Sequence, residues 1–393
     1  MSPQEILKTY WGHTSFRPLQ EDIINCIIEG RDALAILPTG GGKSVCFQIP
    51  AMLKEGCCLV ISPLIALMED QVQNLKDKDI PAAAIMAGMT MHETKDILSE
   101  CMHGALKFLY VSPERLETRL FLEHIDDLPI NLIAVDEAHC ISQWGYDFRP
   151  SYLNISKIRE RLPEIPMIAL TASATTMVKE DLLEKLKMKK SKTFMTSFFR
   201  PNLVYTAEPC LDKINRMLDI ISKVSGSGII YCKTRRKTKE ISDILQQHGI
   251  QSDFYHAGLE QESRKEKQNN WLSGNIRIMV CTNAFGMGID KPNVRLVLHA
   301  DIPDCVENYY QEAGRAGRDG KKSYAVLLFN EIEIAALKQM PDIRFPGIKI
   351  IRNVYQALAN YFQVPNGLGA DQYFDFDLDD FIQKFKLNLN EII

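Results

Sequence analysis

The sequence predicts an α/β protein made of two tandem parallel-sheet domains followed by a short helical tail. Three observations carry this reading. Short apolar runs alternate with amphipathic stretches, the alternation lapses and then restarts past the middle of the chain, and a glycine-rich loop separates the first strand-like run from the first helix-like one.

In the first half the apolar runs fall at 33–37, 57–62, 106–111, 131–135 and 167–170, with helical periodicity between them, which is a βαβ rhythm. After the first run comes Leu37-Pro-Thr-Gly-Gly-Gly-Lys-Ser44. A phosphate-cradling loop needs glycines because its backbone N–H groups must curl around the phosphates, and Thr39, Gly40, Gly41 and Gly42 supply that backbone. Lys43 would place a cation on the β- and γ-phosphate oxygens, and Ser44 would offer its hydroxyl to Mg²⁺ at the start of the next helix. Leu37 stands where the strict pattern has glycine, but the strand-to-helix context is the required one. The fourth run ends in Asp136-Glu-Ala-His139, at the carboxyl end of a parallel strand, where such sheets bind ligands. Asp136 is expected to reach Mg²⁺, and Glu137 to polarise the water that attacks the γ-phosphate. The two signatures together read as an ATP-hydrolysing site.

A basic, strand-poor segment at 185–192 and Arg200-Pro-Asn202 precede the restart at 228–232, so the junction is expected near 197–208. Further strands are expected at 252–255, 277–281, 295–300 and 324–329, with helices from Lys237 and Glu260. This second domain has no phosphate loop. It does carry Gln311-Glu-Ala-Gly-Arg-Ala-Gly-Arg-Asp-Gly320, in which Arg315 and Arg318 would share one face of a helical turn and reach a nucleotide held by the first domain.

The chain has 393 residues, enough for two or three domains, each with a full core. Its 46 basic and 50 acidic residues give a net charge of −4, so a nucleic-acid partner would be held by local patches. The ten cysteines form no CxxC pair, and Cys57 and Cys58 should point to opposite faces of one strand, as reduced core thiols. No signal-like core or membrane-length apolar run is present, so a cytoplasmic protein is expected.

These motifs, in this order, resemble those of the RecQ family of superfamily 2 ATP-dependent DNA helicases, over roughly residues 10–330. Beyond those already quoted, the resemblance rests on Phe16-Arg-Pro-Leu-Gln20, Ser62-Pro-Leu64 with Met68-Glu-Asp-Gln71, Val111-Ser-Pro-Glu-Arg115, Leu170-Thr-Ala-Ser-Ala-Thr175, Tyr255-His-Ala-Gly258 and Cys281-Thr-Asn-Ala-Phe-Gly-Met-Gly-Ile-Asp290. It implies two RecA-like domains clamping ATP·Mg²⁺, with movement 3′ to 5′ along single-stranded DNA, unwinding of tailed or forked duplexes, and a place in DNA repair or recombination. It also implies that Arg17 and Gln20 recognise adenine, that Asp290 helps position the ribose or the inter-domain contact, and that Arg315 and Arg318 complete the site. The aromatic stretch 141–152, with Trp144, Tyr146, Phe148 and Tyr152, would stack on unpaired bases and couple DNA binding to hydrolysis through Gln143, Trp144, Phe148 and Arg149. Backbone contacts to the strand would come from Ser62, Ser112, Arg115 and Thr171 of the first domain, and from Lys233, Thr234, Arg235, His256 and Thr282 of the second. An RNA helicase of the same superfamily, or an ATP-gated DNA-binding or annealing module, remains an alternative.

Many family members continue into a four-cysteine zinc subdomain and a winged helix. Here the last cysteine is Cys305, so no zinc is expected. The tail pairs a helical pattern at 348–362 with an acidic aromatic strand-like stretch at 372–377 and a second helix from Leu378. This is the expected start of a winged-helix-like module, in a catalytic core or natural short form. The expected domains are 1–200, 201–335 and 336–393.

Overall fold

The structure, a computed structural model, describes residues 1–142, 148–172, 174–286, 291–365, 368–369 and 373–387. The first sheet comprises β1 (Ala33–Ile36), β2 (Cys57–Ile61), β3 (Ala82–Ile85), β4 (Phe108–Val111), β5 (Ile130–Val135), β6 (Met167–Thr171) and β7 (Lys192–Met195). All its pairings are parallel, in the order β3-β4-β2-β5-β6-β1-β7. The second contains β8 (Leu203–Pro209), β9 (Ser227–Tyr231), β10 (Ser252–Tyr255), β11 (Ile278–Cys281), β12 (Val294–His299) and β13 (Ser323–Phe329), ordered β10-β11-β9-β12-β13-β8. Strands β9 to β13 pair in parallel.

The continuous apolar runs follow from burial on both faces, since helices cover each side of such a sheet. On β2, Cys57, Leu59 and Ile61 pack into one core while Cys58 and Val60 pack into the other, so the adjacent thiols part as the strand period requires. Both are free and buried. Three strands escaped the sequence reading: β3, which is mostly alanine, β8, an edge strand lying in the expected junction, and β7, an edge strand that begins at the last lysine of the basic segment. Its lysine suits an edge, where charge discourages further pairing. In the second sheet Trp271 is fully buried and donates its indole N–H to the Gly228 carbonyl at 3.1 Å.

At the N-terminal ends of the first sheet's strands, Asp32 is almost fully buried. Its carboxylate accepts from Arg159 Nη2 at 2.7 Å, the Met167 N–H at 2.8 Å and the Lys189 N–H at 2.5 Å, pinning the entries to β1 and β6.

Both sheets belong to one compact unit, 1–208 with 212–327, and a second unit comprises 209–211 and 328–393. The helix Glu331–Arg344 runs straight through the expected boundary at 336. It starts at a capping box in which Asn330 Oδ1 accepts from the Glu333 N–H and Glu333 Oε2 accepts from the Asn330 N–H, each at 2.9 Å. The helices Ile348–Tyr361 and Leu378–Phe385 follow. The aromatic stretch between them is not a strand over 373–377. Instead Phe374 stacks on Phe362 at 4.8 Å, and Phe376, Phe381 and Phe385 surround Tyr361 at 5.4–6.3 Å, a small aromatic core of the unit's own. No helix among the described residues is long and apolar enough to cross a membrane.

Candidate functional site

At the C-terminal ends of the first sheet's strands lies a cleft of about 770 Å³. The loop after β1 enters it, with Thr39, Gly40, Gly42, Lys43 and Ser44 on its wall and the helix Val45–Leu53 leading away. Gly40 and Gly42 take positive φ, +79° and +76°, a conformation other residues rarely adopt. A side chain at Gly42 would also meet Gln20, whose Nε2 donates to the Gly42 and Gly41 carbonyls at 3.0 and 3.3 Å. Arg17 donates to the Gly40 carbonyl, and its N–H donates to Gln20 Oε1 at 2.8 Å. The Arg17–Gln20 pair therefore braces the phosphate loop as well as lining the cleft. Leu19 between them has φ +65°, costly for leucine.

The acidic pair stands opposite. Glu137 also sits in the left-handed region, at φ +45°, with its N–H on Asp136 Oδ1 at 2.9 Å. Its Oε1 lies 3.8 Å from Lys43 Nζ and its Oε2 3.4 Å from His139 Nδ1. Burial and the charge of Glu137 push the Asp136 carboxyl up to about 6. Burial works on Glu137 in the same sense, but Lys43, His139 and Arg315 outweigh it and hold Glu137 below the usual carboxylate range. One charge of the pair is thus firmly held and the other loosely.

From the second sheet, Arg315 and Arg318 line the same cleft. They do so from the turn after the helix Val306–Ala313, which ends two residues before Arg315, so the expected shared helical face is corrected to a turn. Gly314 and Gly317 interrupt the helix there. Arg315 is buried and donates to the Gly286 carbonyl, while Arg318 packs its chain over Gly40. Trp11, His13, Gln71 and Gln311 also line the cleft; Gln71 and Gln311 lie in motifs quoted above, but only their position in space marks them as part of the site. Asp290, Gln143 and Trp144 lie outside the described residues.

The remaining expected contacts gather at strand ends. Ser62 and Ser112, just past β2 and β4, are buried, and their hydroxyls have no hydrogen-bond partner among the described residues. Arg115 is committed elsewhere, donating to the Met86 and Met89 carbonyls at 2.9 Å each. Thr171 is fully buried with its hydroxyl 3.0 Å from His139 Nδ1, next to the acidic pair. Arg149 donates to the Pro63 carbonyl at 2.8 Å, tying its segment to the Ser62 turn, and Phe148 beside it is half-buried. In the second sheet Lys233 pairs with Asp304 at 3.1 Å, and Thr234 caps the helix Arg235–Gln247. Arg235 lies against Gly258, and Thr282 N–H donates to the Tyr255 carbonyl at 3.2 Å. His256, past β10, has a buried Nδ1 without a hydrogen-bond partner among the described residues, and burial together with Arg235 lowers its pKa.

Residues 17–182 match the DEAD/DEAH box helicase family and residues 212–320 match the helicase conserved C-terminal domain. RecS of Bacillus subtilis is 42% identical over 329 residues, which span 83% of this chain and 66% of RecS. The ATP-dependent DNA helicase RecQ of Haemophilus influenzae is 42% identical over 336 residues, 85% of this chain and 54% of that protein. Among solved structures, the DUF1998 helicase MrfA bound to DNA shares the fold with a TM-score of 0.70 at 17% identity, over 86% of this chain and 53% of that one. The chain thus spans between about half and two thirds of these relatives. Two RecA-like parallel sheets, the motif order and the identity to RecS and RecQ make this chain a member of the RecQ family of superfamily 2 helicases, of which it carries the helicase core.

Proposed function

We propose that the chain is an ATP-dependent DNA helicase that couples hydrolysis to 3′ to 5′ movement along single-stranded DNA and to duplex unwinding, in DNA repair or recombination. The observation that carries this is the cleft in which Lys43, Asp136 and Glu137 of one sheet face Arg315 and Arg318 of the other. Lys43 holds the phosphates, Glu137 accepts a proton from the attacking water, and the two arginines offset charge that develops on the γ-phosphate. Ser44 and Asp136 fit a hard divalent cation: both offer oxygen, and Asp136 bears an incompletely compensated carboxylate. Magnesium there would neutralise phosphate charge. The unpartnered hydroxyls of Ser62 and Ser112 are the groups that meet the DNA backbone, while Arg149, beside Phe148, is tied to the Pro63 carbonyl of the Ser62 turn.

ATP hydrolysis with and without single-stranded DNA, alongside unwinding of duplexes with 3′ or 5′ tails, tests the reading. DNA-stimulated hydrolysis and unwinding confined to the 3′-tailed duplex are expected, with Lys43→Ala losing at least about a hundredfold in turnover. Stimulation by RNA alone would overturn the DNA assignment, and unwinding from the 5′ tail would overturn the polarity.

A further inference from the structure

The segment joining the two sheets makes an unusual set of bonds. Arg200 Nη1 donates to the Gly314 carbonyl at 2.7 Å, and Nη2 donates to those of Ala316 and Gly317 at 2.8 and 2.7 Å. Asn202 Nδ2 donates to the Gly317 and Lys321 carbonyls at 2.7 and 3.0 Å. Tyr310, one turn earlier, donates its hydroxyl to the Phe198 carbonyl at 3.1 Å. The carbonyls on either side of Arg315, and the one just before Arg318, are thus held by side chains of the linker. The fit is close: Gly317 has φ +63°, and a Cβ there would lie 2.6 Å from Asn202 Nδ2. On its other side the turn presses on the phosphate loop, with Gly314 against Thr39 and Arg318 over Gly40.

We infer that Arg200 and Asn202 are positioning residues for hydrolysis: the inter-domain linker grips the turn carrying Arg315 and Arg318 and fixes where the two guanidinium groups stand relative to the phosphate loop. The inference rests on the role proposed above for the two arginines. A guanidinium suits the task because its planar fork reaches three carbonyls at once, which an ammonium cannot do. The competing account is that Arg200 only caps the carbonyl end of the helix Val306–Ala313, where any cation is favourable. The two accounts part at Arg200→Lys, which keeps the cation and loses the fork.

The test measures kcat and KM for ATP with saturating single-stranded DNA, and thermal unfolding, for Arg200→Lys, Asn202→Ala, Arg318→Ala and the double variant Arg200→Lys with Arg318→Ala. Positioning predicts a kcat about 10- to 100-fold lower for Arg200→Lys, since small misplacements of catalytic groups cost that much, with KM within about threefold and an unchanged unfolding temperature. It also predicts that the loss in the double variant falls short of the product of the two single losses, because with Arg318 gone only Arg315 is left for the linker to place. Unchanged kcat in both linker variants, or losses that multiply in the double variant, would overturn the inference. Full activity in Arg318→Ala would show instead that the reading of the arginines had failed, and the clamp's role with it.

Discussion

The two ends of the first sheet are built to opposite rules. At the N-terminal ends of its strands the buried carboxylate of Asp32 is saturated by Arg159 and two backbone N–H groups. At the C-terminal ends Ser62, Ser112 and Thr39 keep buried hydroxyls without hydrogen bonds among the described residues, Glu137 holds a strained backbone, and Asp136 carries a carboxyl whose surroundings resist its ionisation. Asn131 Oδ1 and Arg159 Nε are also without partners among the described residues at the first end, but the unpartnered hydroxyls gather at the second, where a ligand could meet them. One end secures the fold, and the other draws on that security.

The contrast can be broken most directly at Asp32. Asp32→Ala strands Arg159 as a buried, unpaired cation and should cost about 3–5 kcal/mol in denaturant unfolding, while turnover per folded molecule stays at the wild-type level. A loss of turnover without destabilisation would erase the distinction. A smaller effect of opposite sign is expected at the other end. The Asp136 carboxyl titrates at about 6 in the folded chain against 3.8 for a free side chain, so its ionised form is penalised on folding. That penalty is complete above about pH 6 and gone below about pH 4. Asp136→Asn should therefore stabilise the protein at pH 7.5 by up to about 3 kcal/mol, with the gain shrinking as the pH falls to 4, while hydrolysis is lost. Melting curves across that range check it, and destabilisation at pH 7.5 would contradict it. Smallest of all, Ser62→Ala and Ser112→Ala should each stabilise the protein by about 1 kcal/mol, because each removes a buried hydroxyl that has no protein partner among the described residues. Each should weaken single-stranded DNA binding about two- to fivefold in fluorescence anisotropy. Marked unfolding with unchanged binding would return those hydroxyls to the fold.

What the sequence disclosed divides along a physical line. Apolar periodicity located most strands, and the period of two separated Cys57 from Cys58, because burial depends only on which face a residue occupies. The cleft residues Lys43, Ser44, Asp136, Glu137, Arg315 and Arg318 were legible because their chemistry demands particular types at fixed spacing. Side-chain bonds to distant carbonyls carry no such signature. The bonds of Arg115 to the Met86 and Met89 carbonyls and of Thr171 to His139 gave no sign in the sequence, and Arg200-Pro-Asn202 read only as a boundary. The stretch 372–377 had a strand's composition, but Phe374 and Phe376 pack among the tail's own aromatics.

The glycines at 40 and 314 stand in the phosphate loop and the arginine turn, at the points where each touches the other. A side chain acquired at either would leave the cores of both sheets intact and disturb only their meeting. Quality control in cells removes chains that unfold, and this lesion would give it nothing to recognise. If the proposed function holds, such a chain would accumulate at normal abundance and bind DNA without turning over ATP.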